Sequence, residues 1–172
     1  MEKNDKVIIA KGRFTNYVMR DQWEYVERKG AAGVVGIVAV TDADELVLVE
    51  QYRPPVDANV IELPAGLVGD GNRAAEPLEE AARRELLEET GFEAGQVRHL
   101  ATGVTTAGLS DEMIHLYLAT KLRRVHAGGG DETETITVHL VPRRNVDPWL
   151  RERQQQGAVI DLKIYSALAL IG

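Results

Sequence analysis

The sequence predicts an α/β fold: an α/β/α sandwich around a mixed sheet, with a small antiparallel sheet at its N-terminus. Three observations predict it. A nearly continuous apolar run, Gly33 to Val40, reads as a strand buried on both faces. A helix is bounded by Pro77 and Gly91, the residues that suit a helix start and stop. Strands then alternate irregularly with two further helical stretches near the C-terminus, as layered α/β architectures require.

Taken in order, Val7-Ile8-Ile9 starts one short strand and WEYVERKG, from Trp23, forms another by period-two alternation. Residues 1–32 are thus expected to form an N-terminal sheet and 33–172 the main domain. After the apolar run, TDADE makes a turn and LVLVEQ, Leu46 to Gln51, returns as a hairpin partner that ends at Tyr52-Arg53-Pro54-Pro55. An extended VIEL segment leads to Pro64-Ala65-Gly66. Gly66, Gly69 and Gly71 are read as a loop whose backbone can approach a phosphate or a metal closely. Beyond the helix, Gln96 to Val104 and MIHLYLAT are strands separated by a polar loop. Gly128-Gly129-Gly130 reads as a flexible hinge before a strand from Thr135 to Val141. Asp147-Pro148 opens a helix that Gly157 stops, and Leu162 to Ile171 forms a last helix with one apolar side.

Composition narrows the function. A chain of 172 residues with 44% hydrophobic residues can build one real core. Its net charge of −7 argues against a nucleic-acid backbone or an anionic membrane as partner. It contains no cysteine, so disulfides and thiolate metal sites are excluded. With no apolar stretch resembling a signal peptide or long enough to span a bilayer, a cytoplasmic protein is expected. His99, His115, His126 and His139 lack ligand spacing and are read as structural.

The helix carries the chemistry. Glu79 precedes Arg83 by four residues and Glu80 precedes Arg84 by four, the favourable order for ion pairs along a helix. Glu85 and Glu89 lie one turn apart on a single face with Glu88 beside them, and no Lys or Arg follows within reach. Like charges at that spacing cost an isolated helix about 0.2–0.5 kcal/mol per pair. The cluster therefore asks for a cation from elsewhere, and a hard, oxygen-liganded ion, Mg²⁺ or Mn²⁺, suits it.

Glu76, seven residues, then Arg84-Glu85-Leu86-x-Glu88-Glu89-x-Gly91-Phe92 resembles the Nudix box, G-x5-E-x7-R-E-U-x-E-E-x-G-U with U apolar. Every fixed position after the first glycine matches. Asp70 occupies that glycine's register. Nine residues, 67–75, separate Gly66 from Glu76 where the pattern has five, so the loop carries a four-residue insertion.

The resemblance implies a metal-dependent pyrophosphohydrolase. Glu85 and Glu89 with the Ala65 backbone carbonyl would hold one ion and Glu88 a second, while Glu76 and Arg84 brace loop and helix. QYR, with Arg53, and GLSDE, with Ser110 and Glu112, are similar to segments of the ADP-ribose pyrophosphatase and nucleoside diphosphate sugar hydrolase subgroup. In that subgroup they face the substrate. The same resemblance makes Glu134, then Glu132, the candidate general base, and makes the N-terminal sheet a homodimer interface where Trp23, Tyr17 or Arg28 would hold the nucleobase. The substrate implied is ADP-ribose, ADP-glucose or GDP-mannose, split to a nucleoside monophosphate and a sugar phosphate. A nucleoside triphosphate or dinucleoside polyphosphate hydrolase and a non-catalytic nucleotide-sugar sensor are the alternatives.

Overall fold

The computed structural model describes residues 6–69, 73, 75–130 and 135–172. Strands β1 (Val7–Lys11), β2 (Thr15–Arg20) and β3 (Trp23–Arg28) form an antiparallel three-stranded sheet in that order. The sequence pattern missed β2, because TNYVMR lacks both an apolar run and clean alternation. Only its Val18 is fully buried, and Asp21, at φ 55°, turns β2 into β3.

The second sheet is built on β4 (Gly33–Val40), bounded as its sequence predicts. Val35, Ile37 and Ala39 enter the core on one face and Val38 the core on the other, the two-residue period of a strand buried on both sides. Around it lie β5 (Glu45–Arg53), β6 (Ala58–Glu62), β7 (Ala65–Val68), β8 (Phe92–Val104), β9 (Met113–Arg124), β10 (Thr137–Pro142) and β11 (Val159–Ile160). The path runs β11-β6-β5-β4-β9-β8, with β10 on β5 and β7 on β4. The β4–β9 and β6–β11 pairs are parallel and the rest antiparallel, so the sheet is mixed.

Helix α1 (Leu78–Thr90) covers one face through Ala81, Ala82 and Leu86. Helices α2 (Val146–Gln155) and α3 (Lys163–Ile171) cover the other through Val146, Leu150, Ile164 and Ala167. Three layers result, as the sequence predicts. No helix among the described residues is long and apolar enough to cross a membrane.

Local departures have physical causes. Pro77 is the N-cap of α1 rather than its first turn, extended at ψ 144°, with its carbonyl accepting from Ala81 N–H at 3.0 Å. Gly66 lies in β7, paired with Val35, and not in a loop, because β4 offers an unpaired edge there. The chain enters β8 directly from Gly91, four residues before the predicted start at Gln96.

The glycine triple is not a free hinge. Gly129 N–H donates to Glu89 O at 2.8 Å and Gly130 N–H to Glu88 O at 3.2 Å, which satisfies carbonyls of the last turn of α1. Gly91 ends that helix at φ 73°, and a side chain there would overlap the His126 carbonyl. We expect Gly91→Ala to lower stability by about 1–3 kcal/mol, read from the denaturant midpoint, since both the left-handed backbone and the close approach oppose a Cβ.

Candidate active site

A cleft of about 630 Å³ opens where α1, β7, the ends of β5 and β6 and the loop before β9 meet. Its chemistry begins with α1. Glu85, Glu88 and Glu89 occupy the C-terminal half of that helix, where the macrodipole is negative, and the last turn carries no basic residue. Like-charge repulsion and the dipole therefore add in the same direction.

Arg84, which precedes the cluster rather than following it, answers part of that charge. Its Nη1 donates to Glu85 Oε1 at 2.8 Å and to Glu88 Oε2 at 3.0 Å. Nε and Nη2 donate to the two oxygens of Glu76 at 2.8 and 3.0 Å, and Nη2 also to Leu67 O at 3.2 Å. All five guanidinium donors are thus engaged. Arg84 does not form the predicted pair with Glu80, because Glu76 offers a bidentate, half-buried carboxylate instead. The neighbouring pair of Glu79 and Arg83 does form, at 2.9 Å. Glu76, beside Arg84, is held below the ordinary carboxylate range by that hydrogen-bonded guanidinium, against the opposing effect of burial.

Glu89 is 4% exposed, and its Oε2 accepts the Ala65 N–H at 3.1 Å. Ile37 N–H donates to Pro64 O, so Gly36 and Ala65 oppose each other without exchanging bonds. The Ala65 carbonyl then points away from β4, to the same side as the N–H that meets Glu89. Gly66 leaves room next to it: a Cβ there would overlap the Glu85 carboxylate and force it to shift. Among the described residues, no three His, Cys, Asp or Glu side chains stand at ligating distance of one point as they are placed. The donors nonetheless fit a divalent ion in kind. They are carboxylate and carbonyl oxygens, gathered where a missing Cβ leaves room.

Cations line the other walls. Arg53 Nε donates to Glu62 Oε2 at 2.7 Å, and Arg28 Nε to Glu112 Oε1 at 2.5 Å. Arg73 and Lys163, the latter paired with Asp161, also border the cleft. In a chain of net charge −7, this convergence of guanidinium and ammonium groups suits a phosphate-rich ligand.

Of the residues singled out from the sequence, Ala65, Glu85, Glu88, Glu89, Arg53, Arg28 and Glu112 border one cleft. Trp23 is 69% exposed on β3, and Tyr17 donates to Glu24; neither lines the cleft within one chain. Ser110 Oγ accepts the Glu112 N–H at 3.0 Å, closing the turn, and its segment runs beside β3. Glu132 and Glu134 lie outside the described residues. Sequence reasoning missed Glu62 and Lys163. Glu62 ends the VIEL strand antiparallel to β5, a pairing that could have flagged it as a partner for Arg53. Lys163 had no local signal, because only the docking of α3 brings it to the cleft.

Comparison with known proteins identifies the family. A family model described as NUDIX domain matches residues 31–161. The methanol dehydrogenase activator of Bacillus methanolicus is 41% identical over 105 residues, 60% of this chain and 55% of that protein. The ADP-ribose pyrophosphatase of Bacillus subtilis (strain 168) is 39% identical over 90 residues, 52% of this chain and 46% of that protein. The GDP-mannose pyrophosphatase of Escherichia coli (strain K12) is 34% identical over 133 residues, 73% of this chain and 66% of that protein. The chain thus spans about half the length of the first two relatives. A crystal structure of an ADP compounds hydrolase superposes with a TM-score of 0.74 at 22% identity, covering 97% of this chain and 89% of that one, a likeness of fold.

The depressed Glu76 pKa has a pH consequence. Its stabilisation is complete above the unfolded-state value of about 4.3 and is lost as pH falls through the lower folded value. In an NMR titration the Glu76 carboxyl should protonate below about 4.3, and in Arg84→Met it should return towards that value.

Proposed function

The chain belongs to the Nudix family, and from that premise we propose that it hydrolyses the pyrophosphate bond of a nucleoside diphosphate sugar. The substrate is of the ADP-ribose, ADP-glucose or GDP-mannose type, and the products are a nucleoside monophosphate and a sugar phosphate. One observation carries this reading: three α1 carboxylates and the Ala65 edge stand on one wall of a cleft whose other walls present Arg28, Arg53, Arg73 and Lys163. The names of two relatives, an ADP-ribose pyrophosphatase and a GDP-mannose pyrophosphatase, support the substrate class.

Glu85, Glu89 and the Ala65 carbonyl would hold one divalent ion, Mg²⁺ or Mn²⁺, and Glu88 would help hold a second. Such ions would supply charge neutralisation at the pyrophosphate and would lower the pKa of a bound water, easing its deprotonation by the base. Around them the chain's own groups position the substrate. Arg84 keeps Glu85 oriented through its Nη1 bond, and Gly66 lets that carboxylate sit against β7. Arg53 and Arg28, held by Glu62 and Glu112, present guanidinium donors to phosphate oxygens. Glu134, or else Glu132, accepts the proton of the attacking water. The water oxygen bonds to one phosphorus as the bond from that phosphorus to the bridging oxygen breaks, and the bridging oxygen leaves on the other phosphate. Gly130, four residues before Glu134 in sequence, donates its N–H to the Glu88 carbonyl.

The N-terminal sheet presents Val7, Ile9 and Trp23 to solvent, 50%, 46% and 69% exposed. We assign it to a homodimer contact through which Trp23 or Tyr17 of one copy would reach the base held by the other. Sedimentation should then give twice the chain mass of 18.9 kDa.

The product assay decides the reaction. With Mg²⁺, ADP-ribose, ADP-glucose or GDP-mannose should yield a nucleoside monophosphate plus a sugar phosphate. Cleavage of nucleoside triphosphates or diadenosine polyphosphates alone would overturn the substrate assignment. Glu89→Gln should lose at least about 100-fold in kcat while remaining folded, more than a supporting residue costs. Wild-type rates in that variant at saturating Mg²⁺ would remove Glu89 from the metal site.

A further inference from the structure

Nine residues, 67–75, join Gly66 to Glu76 where the box pattern has five, and among them Arg73 borders the cleft. Glu76 ties this loop down at two points. Gly69, which leaves β7 at φ 80°, gives the Glu76 carboxylate a backbone hydrogen bond, and the Glu76 N–H donates to the Arg73 carbonyl at 2.7 Å. Glu76 is in turn bonded through both carboxylate oxygens to Arg84 of α1. The Arg73 backbone is thereby held beside the start of α1, and its residue, exposed to solvent, lines the cleft together with Gly66, Glu85 and Glu88.

Two guanidiniums thus reach the cleft from the α1 side, and they differ in what they can do. The donors of Arg84 end on Glu76, Glu85, Glu88 and the Leu67 carbonyl, so it braces the acidic wall and has none to give a ligand. Glu76 needs no second cation, because Arg84 already meets both of its oxygens. Arg73 adds a charge where a polyanion must approach Glu85, Glu88 and Glu89, three carboxylates that repel it.

We propose that Arg73 is a substrate-binding residue supplied by the enlarged loop, donating to non-bridging oxygens of the pyrophosphate from the side of the α1 carboxylates. The proposal rests on the pyrophosphate reading above and deepens it. A guanidinium presents paired donors that match two phosphate oxygens, and a cation carried on the acidic wall reduces the repulsion that wall exerts on the ligand. The contact is to phosphate and not to base or sugar, so it serves ADP-ribose, ADP-glucose and GDP-mannose alike.

The probe is the methylene-bridged analogue of ADP-ribose, in which carbon replaces the bridging oxygen and blocks hydrolysis, titrated calorimetrically into the full chain with Mg²⁺. Arg73→Met should weaken its binding at least about tenfold, as loss of a charge-assisted hydrogen bond does, and Arg73→Lys should weaken it less. Arg151→Met removes the same charge from α2, outside the cleft, and should stay within about twofold. Because Arg73 is exposed, the denaturant midpoint of its variants should match the wild type. In turnover, Arg73→Ala should lose equally on the three nucleotide sugars and recover activity when guanidinium ion is added at non-denaturing concentration. Analogue binding by Arg73→Met within about twofold of wild type, or no analogue binding by the wild type, would overturn the contact. Arg73-dependent binding without hydrolysis of any nucleotide sugar would sink the proposed reaction and keep the contact. Hydrolysis that Arg73→Met leaves unchanged would do the reverse.

Discussion

The structure of the candidate site depends on one guanidinium. Arg84 spends every donor inside the protein, on Glu76 before the helix, on Glu85 and Glu88 along it, and on the Leu67 carbonyl of β7. Those bonds tie together the loop, the helix and the strand that make the cleft's acidic wall. They also let three carboxylates stand near the negative end of a helix dipole, an arrangement that would otherwise oppose the helix. With the Arg84 side chain only 17% exposed, water screens its pairs with Glu76 and Glu85 little.

Missing side chains matter as much as charges. Gly66 lets the Glu85 carboxylate lie against β7, Gly91 lets the His126 backbone pass over the helix end, and Gly128 lets the next strand's approach run along Glu89 and Thr90. In each case a Cβ would collide with backbone or with a constrained carboxylate. The acidic helix, the strand in front of it and residues 126–130 can therefore pack this closely with glycine at these contacts.

The sheet then imports the rest of the cleft from far along the chain. Arg28 arrives on β3, Arg53 and Glu62 on the β5–β6 pair, Glu112 from the loop before β9 and Lys163 from the start of α3. Each of these three cations meets a carboxylate partner that orients it: Arg53 meets Glu62, Arg28 meets Glu112 and Lys163 meets Asp161. A negatively charged chain can thereby keep a region suited to anions without a broadly basic surface.

What the sequence by itself determined is the part governed by local spacing. The period of apolar residues placed β4, and the one-turn separation of Glu85 and Glu89 put both carboxylates on one helical face. The fixed positions from Glu76 to Phe92 pointed to the family. Tertiary packing alone decided what depends on chain segments meeting: Gly66 joining a strand, the glycine triple capping α1 instead of swinging freely, and Arg84 choosing Glu76 over Glu80. It also decided that Lys163 faces the cleft and that Trp23 and Tyr17 do not within one chain. The physical reason is that periodicity reports which way a side chain faces within its own element, whereas its partners come from elements whose relative placement the whole core sets.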